Sequence, residues 1–197
     1  EYPKWKILEM YFNIAGYGAQ DVGIEAAAQD YFGLQPVCDS HFHCTPAVAF
    51  LDRDLSKCSQ PGDESTCQSN PLLALARASL LAGLPQNPVN FDPTIAPGNL
   101  TRLLARQGYV LDQMLKGHMS INMGLGDHIH NVLTITEDTV HQVEALSQKI
   151  QFVGFQNNIK APHFVWWIIN QLANALGNYQ YIDKNTGLSI PGLYLLL

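Results

Sequence analysis

The stretch Lys4-Trp5-Lys6-Ile7-Leu8-Glu9-Met10-Tyr11-Phe12-Asn13 places Lys4, Ile7, Leu8 and Tyr11 at i, i+3, i+4 and i+7. That is the spacing of one helical face. Pro3 suits the first turn, where its missing N–H costs nothing. Residues 13–23 then hold Gly16, Gly18 and Gly23 and read as a turn-rich connection. Asp21 is read as the N-cap of a second helix, Val22 to Phe32, whose Ala26-Ala27-Ala28 permits close packing and which Gly33 closes. On a continuous helix Glu9 and Asn13 share a face, while Tyr11 looks the other way with Lys4. Tyr11 and Asn13 therefore line one cleft only if the helix ends near Asn13, as the glycines predict.

Beyond this pair of helices the chain changes character. Residues 34–71 carry Pro36, Pro46, Pro61 and Pro71 and all four cysteines. They read as an irregular surface insertion in which only Pro46 to Leu55 is locally helical. Leu72 to Leu84 is a strongly apolar helix, ended by the prolines at 85, 88, 93 and 97. Asn99 reads as the cap of a helix over about Leu100 to Leu115, and Gly117 ends it. His118 to Leu133 reads as loop. Thr136-Glu137-Asp138 opens a helix to about Lys149, Pro162 opens another to about Leu176, and Tyr179 to Leu197 suits a short hairpin. The expectation is a mainly α fold.

Composition excludes whole classes. Apolar residues make up 47% and charged residues 14%, the reverse of a disordered chain. With 11 basic and 17 acidic side chains the formal charge is 11 − 17 = −6, which argues against a nucleic-acid partner. The apolar run Phe164 to Ile169 is broken by Asn170 and is too short to span a bilayer. The chain opens on Glu1 without a methionine and is expected to be a piece of a longer one.

The residue pattern resembles a known family. Lys4-x-x-Ile7-Leu8-Glu9-x-Tyr11-x-Asn13, then Gly18, then Gly23-Ile24-x-Ala26-Ala27-Ala28-x-x-Tyr31-Phe32-Gly33, is similar to the fourth signature block of glycosyltransferase family 51. These are the peptidoglycan glycosyltransferases of class A penicillin-binding proteins and monofunctional transglycosylases. Leu73-x-Leu75-Ala76-x-Ala78-x-Leu80-Leu81-Ala82-Gly83-Leu84-Pro85-Gln86-x-Pro88, with Phe91-Asp92-Pro93, resembles the fifth block. Arg102, Arg106, Val110-Leu111 and Met114 resemble the helix after it. Ile135-Thr136-Glu137 resembles the segment leaving the module, and Ala161-Pro162-His163-Phe164-Val165 the linker that follows. Two departures stand inside the fifth block: Arg77 occupies a position where the family usually has glutamate, and Ser79 one where it usually has alanine. The insertion 34–71 replaces a connection of a few residues.

The resemblance implies a lysozyme-like glycosyltransferase module, incomplete, with its C-terminal part at 1–117 and a linker towards an absent transpeptidase domain at 118–197. It implies polymerisation of lipid II into glycan strands at the outer face of the bacterial cytoplasmic membrane, the membrane anchor lying outside these residues. In that reaction a carboxylate takes the proton of the acceptor hydroxyl. The oxygen attacks the anomeric carbon with inversion, and cations or a divalent cation hold the departing lipid pyrophosphate. The blocks that supply the family's catalytic glutamates are absent here, so no catalytic residue, metal ligand or cofactor is expected from these residues, and the fragment alone is expected to be inactive. Tyr11 and Asn13 are the candidate substrate-binding residues. Lys4, Glu9, Gly18 and Gly23 are motif residues with structural parts, Glu9 as an i,i+3 partner of Lys6. No Ser-x-x-Lys or Lys-Thr-Gly occurs, so penicilloyl-serine chemistry is not expected. The alternative is a non-catalytic scaffold of the cell-wall machinery that meets a partner through the insertion.

Cys38, Cys44, Cys58 and Cys67 are an even set with three possible pairings. The family's extracytoplasmic setting favours two disulfides. The alternative is zinc, with Cys38, His41, His43 and Cys44 close in sequence. Asp127, His128 and His130 form a second polar cluster, read as solvated. Trp166 and Trp167 beside Phe164 read as packing of a linker helix.

Overall fold

A computed structural model describes residues 2–18, 21–60, 62–122, 132–154, 171, 180–182 and 189–191. The chain divides into two units, 1–156 and 157–197. In the first, helix α1 (Lys4–Ile14) is followed by α2 (Ile24–Phe32). The insertion then forms two antiparallel pairs: β1 (Val37–Cys38) with β2 (Cys44–Thr45), and β3 (Arg53–Cys58) with β4 (Cys67–Ser69). A short 3-10 turn, Ala47–Phe50, lies between them. Helices α3 (Pro71–Gly83), α4 (Pro88–Phe91) and α5 (Pro97–Lys116) come next. The hairpin β5 (Ser120–Asn122) and β6 (Val132–Thr134) leads into α6 (Glu137–Ser147). In the second unit β7 (Gln180–Ile182) pairs antiparallel with β8 (Ser189–Pro191), as the sequence predicts.

Helix α3 is the hub. Eight of its thirteen residues are buried, the mark of a helix enclosed on most sides. Asn70 starts it: Oδ1 accepts from the N–H of Leu72 and Leu73, and Pro71 fills the first turn. One face, Leu80 and Leu81, joins Leu84, Leu103 of α5, and Ala27, Ala28, Tyr31 and Phe32 of α2 in the first core. The other, Leu75 and Ala76, meets Leu111, Ile135 and Val143 in the second. Each fully buried leucine contributes about 1.5–3 kcal/mol. Between the helices Gln107 Nε2 donates to Ala76 O at 3.0 Å, Ser79 Oγ at 2.8 Å and Ser147 Oγ at 2.7 Å, linking α3, α5 and α6.

Several expectations need correction. Asp21 is not an N-cap: α2 starts after Gly23, which has no side chain to cap with, and the Asp21 carboxyl is buried elsewhere. Asn99 lies inside the first turn of α5 rather than capping it, and its Nδ2 donates to Val89 O and Asp92 O. The helix expected at Pro46 to Leu55 shrinks to the 3-10 turn Ala47–Phe50, a second 3-10 turn forms at Glu64–Thr66, and two hairpins organise what read as irregular chain. The segment read as loop at 118–133 contains β5 and the first two residues of β6. The first unit also packs on past residue 117, because α6 covers α3 and α5. Apart from residue 171, which is helical, the expected helix at 162–176 lies outside the described residues, as do the tryptophans 166 and 167 and the cluster at 127–130.

Candidate functional site

The motif helix α1 has no buried residue. Trp5, Ile7, Leu8, Met10, Tyr11, Phe12 and Ile14 are all exposed, Tyr11 by 48%. Tyr11 is therefore not a core side chain. The helix stops at Ile14, one residue beyond Asn13, and the Ala15 N–H closes it on Tyr11 O at 2.9 Å. Asn13 is exposed in the last turn, so both candidate substrate-binding side chains stand at the free end of the helix. Glu9 is engaged otherwise: Lys6 Nζ donates to its two carboxylate oxygens at 2.8 and 2.9 Å. Lys4 is exposed at the opposite end and forms no ion pair among the described residues.

A tight loop holds this helix end. Gly23 N–H donates to Ala15 O at 2.9 Å and Tyr17 N–H to Asp21 O at 2.8 Å. Gly23 sits at φ 90°, and a Cβ there would come within 2.9 Å of Asn13 O. Glycine is needed on both counts. Gly18 lies against the hydroxyl of Tyr31 and the carboxylates of Asp92 and Asp21, and a Cβ would collide with the hydroxyl. Tyr31 Oη donates to Tyr17 O at 2.9 Å.

Beneath the loop is a polar cluster that sequence reasoning missed. Asp21, Asp92, Tyr17 and Tyr31 are each at most 7% exposed. Burial, then a hydrogen bond to Asp30 and the charges of Asp30 and Asp92, push the Asp21 carboxyl up to about 7. Burial drives the Tyr31 hydroxyl far above the usual phenol range and the Tyr17 hydroxyl up to about 12. Asp92 also accepts from Thr94 N at 2.8 Å and Thr94 Oγ1 at 2.6 Å. Tyr31 and Asp92 stood in the motif blocks, and only their distance in sequence hid that they meet.

The insertion is tied to the helices through buried polar groups. Glu25 of α2 accepts from Ala47 N at 2.7 Å and Val48 N at 2.9 Å, holding the start of the 3-10 turn. Arg77 of α3 donates from Nη1 to Leu51 O at 3.0 Å and Arg53 O at 2.8 Å. Cys38 is disulfide-bonded to Cys44 and Cys58 to Cys67, each bridge joining residues opposite one another in a strand pair. This corrects the zinc alternative: all four sulfurs are in disulfides, and His43 pairs with Asp39 at 3.3 Å. Among the described residues no group of three or more His, Cys, Asp or Glu is arranged to hold a metal ion.

Two motif-bearing helices, a glycine-bearing loop and an apolar hub thus come together in the first unit. The family model described as Transglycosylase matches residues 1–115. That is more than half of the 197 residues, and the chain belongs to the transglycosylase family. Among individual proteins, penicillin-binding protein 1A of Pseudomonas aeruginosa is 31% identical over 113 residues, 57% of this chain and 9% of that protein. Penicillin-binding protein 1A of Neisseria lactamica is 28% identical over 154 residues, 75% of this chain and 15% of that protein. The protein of the same name from Neisseria gonorrhoeae is 32% identical over 116 residues, 59% of this chain and 10% of that protein. The chain thus spans only 9–15% of the length of these relatives. No solved structure matches it. Among the described residues no helix is long and apolar enough to cross a membrane.

Proposed function

We propose that these residues are the C-terminal part of a peptidoglycan glycosyltransferase module, polymerising lipid II at the outer face of the cytoplasmic membrane as part of a longer chain. The observation that carries this reading is α1. Its motif side chains Tyr11 and Asn13 are exposed, on a helix that leaves seven large apolar side chains uncovered and buries none of its residues. A helix of that kind is a surface made to be covered by more protein and by substrate. Tyr11 and Asn13 would donate and accept hydrogen bonds to the sugar or peptide of the substrate. They would not supply the base. Glu9 is neutralised by Lys6, and Asp21 is buried under the loop. The catalytic carboxylates, and any divalent cation at the pyrophosphate, belong to chain outside these 197 residues.

The test uses lipid II and two proteins. The 197 residues alone are expected to yield no glycan strands. A longer protein with the complete module is expected to polymerise, and Tyr11→Ala or Asn13→Ala within it to lower turnover about tenfold or more. Glycan strands from the 197 residues alone, or full turnover by both variants, would overturn the proposal. A scaffold without catalysis is the second reading. It is favoured by Phe42, 90% exposed at φ 63° on the tip of the Cys38–Cys44 hairpin. A complete-module protein that binds lipid II but does not polymerise it would select that reading.

A further inference from the structure

A cavity of about 410 Å³ lies between strand β3, helix α3 and the chain after α6. Its wall is apolar along Leu55, Leu73, Leu146 and Ile150. Two cations also face it, Arg77 and Lys149. Arg77 is 7% exposed, and no carboxylate lies within ion-pair distance of it among the described residues. Nη1 spends both of its N–H groups on Leu51 O and Arg53 O. Nε is buried without a partner, and Nη2 makes no hydrogen bond to a described residue. Nη2 therefore keeps its N–H groups free for a carboxylate. Lys149 is exposed at the rim and likewise has no acid in contact.

Asp54 is the one acidic side chain of the lining, and it is already occupied. Oδ1 accepts from Ser56 N at 3.1 Å and Ser56 Oγ at 2.6 Å, and Oδ2 faces Lys57 Nζ at 3.2 Å. Asp54 and Asp52 offset part of the Arg77 charge from a distance and the Phe32 ring lies under its guanidinium, but no carboxylate pairs with it directly, so a buried positive group faces an apolar wall. Burial lowers the Arg77 guanidinium to about 10, the direction that a bound anion reverses.

We propose that this cavity binds a carboxylate carried on an aliphatic body, with the carboxylate on Nη2 of Arg77 and towards Lys149, and the chain along the leucines. The shared chemistry suits both a lipid-derived acid and the end of a peptide, and the experiment separates them. Calorimetric titration of the full chain uses octanoate and N-acetylleucine as the two arms, with acetate, octanol and octylamine as controls. Binding of octanoate or N-acetylleucine at least about tenfold tighter than every control is the expected result. Lys149→Glu, on an exposed side chain, is expected to weaken that binding by about fivefold or more without lowering Tm. Arg77→Gln is expected to abolish it. Because this variant also disturbs the bonds to Leu51 and Arg53, Leu146→Trp is the second variant: it fills the cavity, leaves Arg77 in place and is expected to block binding. Absence of binding at millimolar concentration would overturn the proposal. Octanol binding as tightly as octanoate would do the same, as would unchanged affinity in Lys149→Glu.

Discussion

Asp21 shows how one side chain carries several constraints. It looks like a helix cap in sequence, because an aspartate before an apolar helix has that signature. Its carboxyl instead turns inward to Asp30 and Asp92, so the capping signal was real in kind and wrong in use. A folded-state value near 7, raised from 3.8, means that the folded chain holds a proton there that the unfolded chain releases. The stability tied to that proton is complete below about pH 4 and is lost as pH rises through about 7. The melting temperature is expected to fall by roughly 3–8 °C between pH 5.5 and 8.5, and Asp21→Asn to remove most of that fall. Thermal unfolding followed by circular dichroism at the two pH values checks this; an equal fall in the variant would exclude Asp21 as its source. Arg77 and Ser79, the two departures from the fifth block, acquire reasons at the same scale. Arg77 serves the carbonyls of Leu51 and Arg53, and Ser79 accepts from Gln107. Neither reason was legible in sequence, since the partners lie 24 to 28 residues away.

Among the elements, the helices with local signals were readable. Helix α3 follows from an apolar run between Asn70 and the prolines, α6 from Thr136, whose hydroxyl accepts from Thr139 N at 3.2 Å, and the end of α2 from Gly33 at φ 66°. The pairs β3–β4 and β5–β6 were not, because three of the four strands have only three residues and β3 has no clean alternation of apolar and polar residues. Helix α5 has the clearest single dependence. Leu103, Gln107 and Leu111 form its buried stripe, and Gln107 is the polar member that joins three helices. Gln107→Ala is expected to cost about 2–4 kcal/mol, from a cavity together with lost hydrogen bonds. Gln107→Leu keeps the volume and should cost clearly less, because Ser79 and Ser147 still donate to Leu75 O and Val143 O. Urea unfolding of the two variants measures the difference; equal losses would mean that the polar links contribute little.

At the scale of the molecule, the first unit is a helical body built on α3, with the disulfide-bearing hairpins fastened to its side and α1 standing uncovered. The candidate site was legible as residue types, since Tyr11 and Asn13 sit in a dense motif. The acidic cluster that holds their loop was not, because it is assembled from α2, the loop and Asp92 only on folding. The insertion adds a property of its own. Its bridges span 6 and 9 residues and follow one another along the chain without overlapping. The other two ways of joining the four cysteines would close longer loops, and short loops meet within tens of nanoseconds, before helices pack. The reduced, unfolded chain is therefore expected to regain the Cys38–Cys44 and Cys58–Cys67 pairs in a glutathione buffer without a disulfide isomerase. Peptide mapping reads this, and a mixture of pairings that needs the isomerase would refute it. The choice of partner is then made within the insertion, and Arg77 fastens a rim whose cross-links it does not select.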